Sequence, residues 1–479
     1  MIVAVDIGAS SGRVIAGRLV DRRLELEEIH RFPNDPVIHA DGLHWDAHGL
    51  FDNVVDGLRR VAHLGESVLS IGIDTWGCDV GWLGADGALL AQPFHHRDVR
   101  NEAAARLVHE AISPADLYAR TGLQYLPFNT IYQVVAARQD PWAAEARTML
   151  LMPDLIGYWL TGQAVAERTN ASTTALLDPR TRDWDHGLLL VLGIEQRLLP
   201  PLRDPGTLLG SLKPSIASAT GLDASTPVTL VGSHDTASAV AAVPADSDDV
   251  AFVSCGTWSL VGLELTTPIL TEPSRRGSFT NEGGVDGTTR YLHNVMGLWL
   301  LAESLRAWGA KSGLAGLLAA ASALPDGGPT FDADDSRFLA PGDMPARIID
   351  ACAATGQPLS ADQPSVVRAI LDSLAESYGR TLRAAQDLTG QQPAVVNLVG
   401  GGSRNELLCR LAADAIRRPV VAGPVEATAI GNLLVQARSI GLIDGGLTAL
   451  RRIVRENQPL KRYEPRARVD ASADFVSPG

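Results

Sequence analysis

Cysteine is scarce: Cys78, Cys255, Cys352 and Cys409 are the only four in 479 residues, far apart in the chain and without a Cys-x-x-Cys pair. That excludes a zinc cage or a disulfide framework and predicts a reducing, cytoplasmic setting. Long apolar runs are missing as well. The densest, Leu188–Ile194, is far shorter than the ~18 residues a membrane helix needs and is flanked by charge. Met1–Asp6 has no basic residues ahead of its apolar ones, so no secretory signal is expected. Positive charge is in deficit, with 41 Lys and Arg against 55 Asp and Glu, a net −14. Such a balance opposes general attraction to nucleic acid or to a membrane surface and leaves a small molecule as the expected partner. What is present is ordinary for a globular chain, 46% apolar and 20% charged, which argues against disorder or a fibrous protein. At ~150 residues per domain the length predicts two or three domains.

The pattern along the chain is α/β. Ile2–Ile7 and Val14–Leu19 are apolar runs joined by Gly8-Ala-Ser-Ser-Gly12, which predicts strand, turn, strand, with Asp6 at the mouth of the turn. Leu50, Phe51, Val54, Val55, Leu58 and Val61 have helical spacing behind Asp46, a candidate N-cap. Val68–Ile73 reads as a buried strand. Near residue 250 the opening motif returns: an apolar run, a small polar turn at Ser254–Thr257 and another apolar run. Two similar halves are therefore expected, joined in the loop chemistry of Pro244–Asp249. Farther on, Val366 to Leu388 mark one long helix closed by Gly390, and Ala394–Val399 is a strand running into Gly400-Gly-Gly-Ser-Arg-Asn405. Ser403 and Glu406 fit a capping box for the next helix.

Four segments place glycine or small polar residues where a strand should end: Asp6–Arg13, Gly232–Thr236, Ser254–Trp258 and Gly400–Asn405. There, backbone N–H groups can approach an anion closely, which lets a chain with few local lysines hold phosphates. Any one of them alone could be a tight hairpin turn; one at the start of each half is more informative. With phosphates above the first turn, Asp6 is well placed to hold Mg²⁺ through water. His234 and Asp235 follow the apolar run Pro227–Val231, at the strand end where ligands bind in such sheets. Asp235 could cap a helix, or could accept a proton from a substrate hydroxyl attacking a phosphoryl group. Trp76-Gly-Cys-Asp79 and His95-His-Arg-Asp-Val-Arg100 together suit a sugar, with an apolar ring face and hydroxyl-bonding groups. Thr280–Gly284 and Asn294 add polar groups from the second half.

Rival motifs fail on context. Gly8-Ala-Ser-Ser-Gly12 has the form of a hydrolase nucleophile elbow but enters a strand rather than a helix. Gly309-Ala-Lys-Ser-Gly313 lacks the glycines of a phosphate-binding P-loop. Gly400–Asn405 carries Asn405 where a dinucleotide fingerprint needs its last glycine.

With these residues assembled, the sequence resembles the FGGY carbohydrate kinases. Matching stretches run from Val5-Asp-Ile-Gly-Ala-Ser-Ser-Gly-Arg13 through Gln124-Tyr-Leu-Pro-Phe-Asn-Thr130, Ser233-His-Asp-Thr-Ala-Ser-Ala239 and Thr280-Asn-Glu-Gly-Gly284 to Ala422-Gly-Pro-Val-Glu-Ala427. The resemblance implies two actin-like ATPase domains of the RNase H-like kind, 1–245 and 246–479, with an interdomain cleft. It implies transfer of the ATP γ-phosphoryl to the 1-hydroxyl of a ketose, L-rhamnulose first, with L-fuculose or L-xylulose as alternatives. Asp235 would be the base. Asp6, Ala9, Ser10, Ser11, Gly12, Arg13, Thr257, Gly401 and Gly402 would hold the nucleotide, with Mg²⁺ near Asp6. Gly77, His234, Asp235, Thr236 and Asn294 would line the sugar site. After Leu301 the family pattern places a nucleotide-contacting glutamine, where this chain has Ala302. An actin- or chaperone-like ATPase serving a protein partner, and a sugar sensor without turnover, are the readings from other classes.

Overall fold

A computed structural model describes residues 1–309 and 313–466. Residues 310–312, inside the segment weighed as a P-loop, and 467–479, the end of the second expected domain, lie outside the described residues.

β1 (Ile2–Ile7), β2 (Ser11–Val20) and β3 (Arg23–Pro33) form an antiparallel meander. α1 (Ala47–Ala62) follows, capped by Asp46, whose side chain accepts from Gly49 N as expected. β4 (Ser70–Thr75) then returns parallel to β1. β5 (Leu208–Ser211) and β6 (Pro227–Thr229) complete a six-stranded sheet in the order β5-β6-β4-β1-β2-β3. The chain leaves this sheet through α2 (Asp235–Ala241). The second half repeats the plan with β7 (Val250–Cys255), β8 (Ser259–Leu265), β9 (Thr280–Gly283) and β10 (Thr289–Val295). After these come α3 (Gln363–Thr389), β11 (Val396–Val399), α4 (Glu406–Ile416), β12 (Val420–Ala422), α5 (Ala427–Ser439) and β13 (Lys461–Tyr463). Its seven strands run β9-β10-β8-β7-β11-β12-β13. Three antiparallel strands followed by two parallel ones, β3-β2-β1-β4-β6 and β10-β8-β7-β11-β12, are thus common to both sheets.

Strand alternation explains the layering. Val3, Val5 and Ile7 face an outer core with Leu50, Val54, Leu58 and Val61 of α1; each such side chain contributes roughly 1.5–3 kcal/mol by leaving water. Ile2 and Ala4 face the opposite way, into a central core shared with α2, α5 and the inner residues Val250 and Phe252 of β7. On the far side, Ala251, Val253 and Cys255 pack against α3 and α4. The order is helix, sheet, helices, sheet, helices. Residues between β4 and β5 build a satellite core around Trp82, Tyr132, Leu176 and Leu188.

One sequence expectation needs correcting. Ser403 does not cap α4: it sits in the 3₁₀ turn Gly401–Arg404, and Asn405 is the N-cap, accepting from Leu408 N. The turn consumes the residues that the spacing assigned to a capping box.

At the centre, α2 and α5 cross so closely that a Cβ on Gly431 would lie 1.8 Å from the carbonyl oxygen of Ser238. Backbone is the obstacle there, so no side chain can rotate away. Gly431→Ala is expected to lower stability by about 1–3 kcal/mol through overpacking, measured by urea denaturation. An unchanged midpoint would contradict this account of the crossing.

Candidate active site

The turns of the two meanders, β1–β2 and β7–β8, border one cleft of about 500 Å³, inside the ~300–1,000 Å³ range of small-molecule sites. Gly8 N donates to Ser11 O at 2.9 Å and Asn34 Nδ2 to Gly8 O at 2.8 Å, fixing the first turn. In the second, Gly256 N donates to Trp258 O at 2.8 Å. Asp6, Ala9, Ser10, Ser11, Arg13, Gly77, His234, Asp235, Thr236, Thr257, Asn294 and Gly401 all line the cleft. Gly12 and Gly402 are not among its lining residues. Gly12 lies under the Phe32 ring, and Gly402 abuts the Cys255 thiol. Ala302 is exposed on the helix Trp299–Ala307 and does not border the cleft either.

Charge at the phosphate-like end is unbalanced toward acid. Asp6 and Arg13 are cross-strand partners, and Arg13 Nη2 donates to Asp6 Oδ2 at 2.5 Å. The other arm of Arg13 bonds Glu426, which arrives from the second half. Arg404 approaches Glu426 from the rim at 3.7 Å. Burial pushes the Asp6 carboxyl up, against the pull of the Arg13 guanidinium. Asp74, the register partner of Asp6 on β4, is fully buried; burial and the Asp6 charge push it well above the usual carboxylate range. Asn432 Nδ2 of α5 donates to Asp74 Oδ2 at 2.5 Å, and Gln436 Nε2 donates to Asn432 Oδ1 at 2.6 Å and to Val3 O at 3.0 Å. Of these carboxylates Asp6 and Glu426 line the cleft, and Asp6, beside the first turn, is the oxygen ligand that a divalent cation escorting phosphates would meet.

At the other end, the set read from the sequence as sugar contacts divides. Asp79 does not reach the cleft: it is a buried hub accepting from Trp45 Nε1 at 2.6 Å, Trp76 Nε1 at 2.8 Å and Gln133 Nε2 at 2.9 Å, with His96 Nδ1 at 2.9 Å. Burial works against the Asp79 charge, but His96 holds the carboxyl below its usual range. His95 is packed on Trp45 with ring centroids 4.2 Å apart, and its pKa is lowered to about 3 by burial and by His96. Trp76 and His96 do line the cleft. Asp79 therefore positions two lining side chains without touching a ligand itself. Leu123, Leu126 and Phe128 complete an apolar wall, Phe128 lying 5.4 Å from His96 and 6.1 Å from Trp258, centroid to centroid.

The floor between the two ends is the Ser233–Thr236 segment. Thr75 N donates to Ser233 O at 2.9 Å, extending β4. Glu167, fully buried, accepts from Ser233 N at 3.1 Å, Ser233 Oγ at 2.8 Å and Thr169 Oγ1 at 2.5 Å. Asp235 accepts from Thr236 Oγ1 at 3.0 Å and stays partly exposed, with His234 Nε2 3.5 Å away. Behind His234, its Nδ1 lies 3.2 Å from both Glu282 and Arg290. Arg290 is fully buried, donating to Gly283 O at 3.0 Å and pairing with Glu282 Oε2 at 2.9 Å. Burial opposes the Glu282 charge, yet Arg290 and His234 hold that carboxyl below its usual range. Asn294 is oriented by Gln124 Oε1, which accepts from its Nδ2 at 3.2 Å. Sequence reasoning missed the bracing of Ser233 by Glu167, of His234 by Arg290 and of Arg13 by Glu426, since each of these contacts spans a gap of many residues.

Two repeated sheets that aim their hairpins at one cleft, with a carboxylate on its floor, have the architecture of a sugar-phosphorylating enzyme. The chain belongs to the FGGY family of carbohydrate kinases: the model of the N-terminal domain matches residues 1–242 and that of the C-terminal domain 251–440. Among curated proteins it is 41% identical over 475 residues to the rhamnulokinase of Bacteroides thetaiotaomicron, covering 99% of this chain and 97% of that one. It is also 41% identical over 466 residues to the rhamnulokinase of Enterococcus faecalis, covering 96% and 94%. In fold it is similar to a ligand-bound xylulose kinase from Lactobacillus acidophilus, with a TM-score of 0.79 at 19% identity, 97% of this chain and 94% of that one being covered. A Plasmodium falciparum glycerol kinase with ADP gives a TM-score of 0.77 at 15% identity over 97% and 94%.

Proposed function

We propose that this kinase transfers the γ-phosphoryl group of ATP to the 1-hydroxyl of L-rhamnulose, giving L-rhamnulose 1-phosphate and ADP. The observation that carries the reading is Asp235, a partly exposed carboxylate on the cleft floor between a glycine-turn end and an apolar, ring-lined end. The backbone amides of the two turns and of Gly401 receive the phosphates, and Arg13 adds a positive side chain at the hairpin. Mg²⁺ accompanies the nucleotide; Asp6 would hold it through water, and when bound it offsets phosphate charge. Asp235 takes the proton of the ketose hydroxyl as that oxygen attacks phosphorus in line. Gly77, His234, Thr236 and Asn294 orient the hydroxyls, with His234 kept in place by Glu282 and Arg290. We place the domain boundary at 245/246, within the loop that separates α2 from β7. A cytoplasmic location agrees with four free, buried cysteines, and among the described residues no helix is long and apolar enough to cross a membrane.

Leu123, Leu126 and Phe128 favour a ketose that ends in a methyl group. L-Fructose, the same skeleton with a hydroxyl at carbon 6, is expected to show a kcat/KM roughly tenfold or more below that of L-rhamnulose, because an apolar wall cannot bond the added hydroxyl. The check is ADP release across L-rhamnulose, L-fructose, L-fuculose, L-xylulose and glycerol. ADP release that ignores every sugar would favour a protein-directed ATPase instead.

A further inference from the structure

Away from the cleft, a short hairpin pairs Val37–His39 with Gly42–His44. We propose that it is a binding site for a divalent transition-metal ion of the zinc type, with His39, Asp41 and His44 as ligands. One ligand atom from each of these residues lies within 4.8 Å of the others. Metal–nitrogen and metal–oxygen bonds of ~2.0–2.2 Å put ligand atoms ~3.3 Å apart in a tetrahedral site. His39 and Asp41 are exposed, so rotation of their side chains closes the remaining gap.

The stronger observation concerns His44, which is buried while its partners are not. Its Nδ1 lies 2.9 Å from the carbonyl oxygen of Gln92, and a carbonyl only accepts. Nδ1 therefore carries the hydrogen, which leaves Nε2 in the form that binds metals, oriented by a backbone oxygen in the manner of metal-ligating histidines. That Nε2 faces Asp41 Oδ1 at 3.1 Å. Both atoms are thus placed to turn toward one metal ion. The His39 ring, 4.7 Å from that of His44, supplies a second nitrogen on the same side. Two imidazoles and one carboxylate suit zinc, nickel or copper and do not suit Mg²⁺, which prefers an all-oxygen shell.

The hairpin is braced against the strand-like segment that carries His96 to the cleft. His95 N donates to Leu43 O at 2.9 Å, and Leu43 N donates to Asp98 Oδ2 at 2.8 Å. The tip bearing His39 and Asp41 lies outside the catalytic machinery, so its variants separate metal binding from turnover.

The test is calorimetric titration of the tag-free, full-length chain with Zn²⁺ in excess Mg²⁺. One equivalent is expected to bind, with His39→Ala and Asp41→Asn each weakening it at least about tenfold, while ketose phosphorylation without zinc stays at the wild-type rate. Cu²⁺ loaded at the same stoichiometry should show coupling to two imidazole nitrogens by electron paramagnetic resonance, reduced to one in His39→Ala. Absence of stoichiometric zinc binding would overturn the proposal. It fails equally if both variants bind zinc as the wild type does.

Discussion

Asp235→Asn should lower kcat by on the order of 10²-fold or more while leaving the ATP dissociation constant and the thermal midpoint at their wild-type values. The amide is nearly isosteric with the carboxyl, keeps an oxygen for the Thr236 hydroxyl that now donates at 3.0 Å, and sits where the side chain is 31% exposed. Neither packing nor the phosphate turns depend on it. What the amide cannot do is take a proton, so the effect falls on the chemical step alone. Steady-state kinetics with ATP and L-rhamnulose, together with nucleotide binding by calorimetry, separate the two contributions. Turnover unchanged in this variant would remove Asp235 from the mechanism, whatever its place in the cleft.

The second large effect concerns stability. Arg290→Met should cost about 3–5 kcal/mol, because it strands the Glu282 carboxylate in a buried site without its cation. For a domain of this size that corresponds to a fall in thermal midpoint of about 10 °C. His234, lying 3.2 Å from both partners, would lose its support, so the KM for the ketose should rise in the same variant. The acid side of the stability profile offers a further readout. Glu282 has a folded pKa below its ordinary value, so its contribution is complete above the unfolded pKa and is lost as pH falls through the folded one. The wild type should therefore lose its advantage over Arg290→Met as the pH falls through that lowered folded pKa. A variant as stable as the parent at neutral pH would show that the ion pair is dispensable.

Much of this was legible in the sequence because it is local. The β1–β2 and β7–β8 hairpins announce themselves as apolar runs around small turns, Asp46 caps α1, and Gly390 ends α3 in the left-handed conformation. The candidate cleft residues were legible for the same reason, since most lie in turns at strand ends. Periodicity does not show which of two neighbouring polar residues points outward. Asp79 and His96 both looked ligand-facing; four donors gather around Asp79 and turn it inward, while His96 keeps a face on the cleft. The links of Glu167 to Ser233 and of Arg290 to His234 were invisible because they span 66 and 56 residues. Glu426 meets Arg13 across 413.

The placement of α5 ties the first half of the chain to the second. Although it belongs to the second half, it seats Leu433 against Gly17 and sends Asn432 and Gln436 into the first sheet. A gene fragment encoding the first half alone would leave that sheet face, with Ile2 and Ala4, open to water. The first half is therefore expected not to fold alone, and the chain to unfold as one unit rather than half by half.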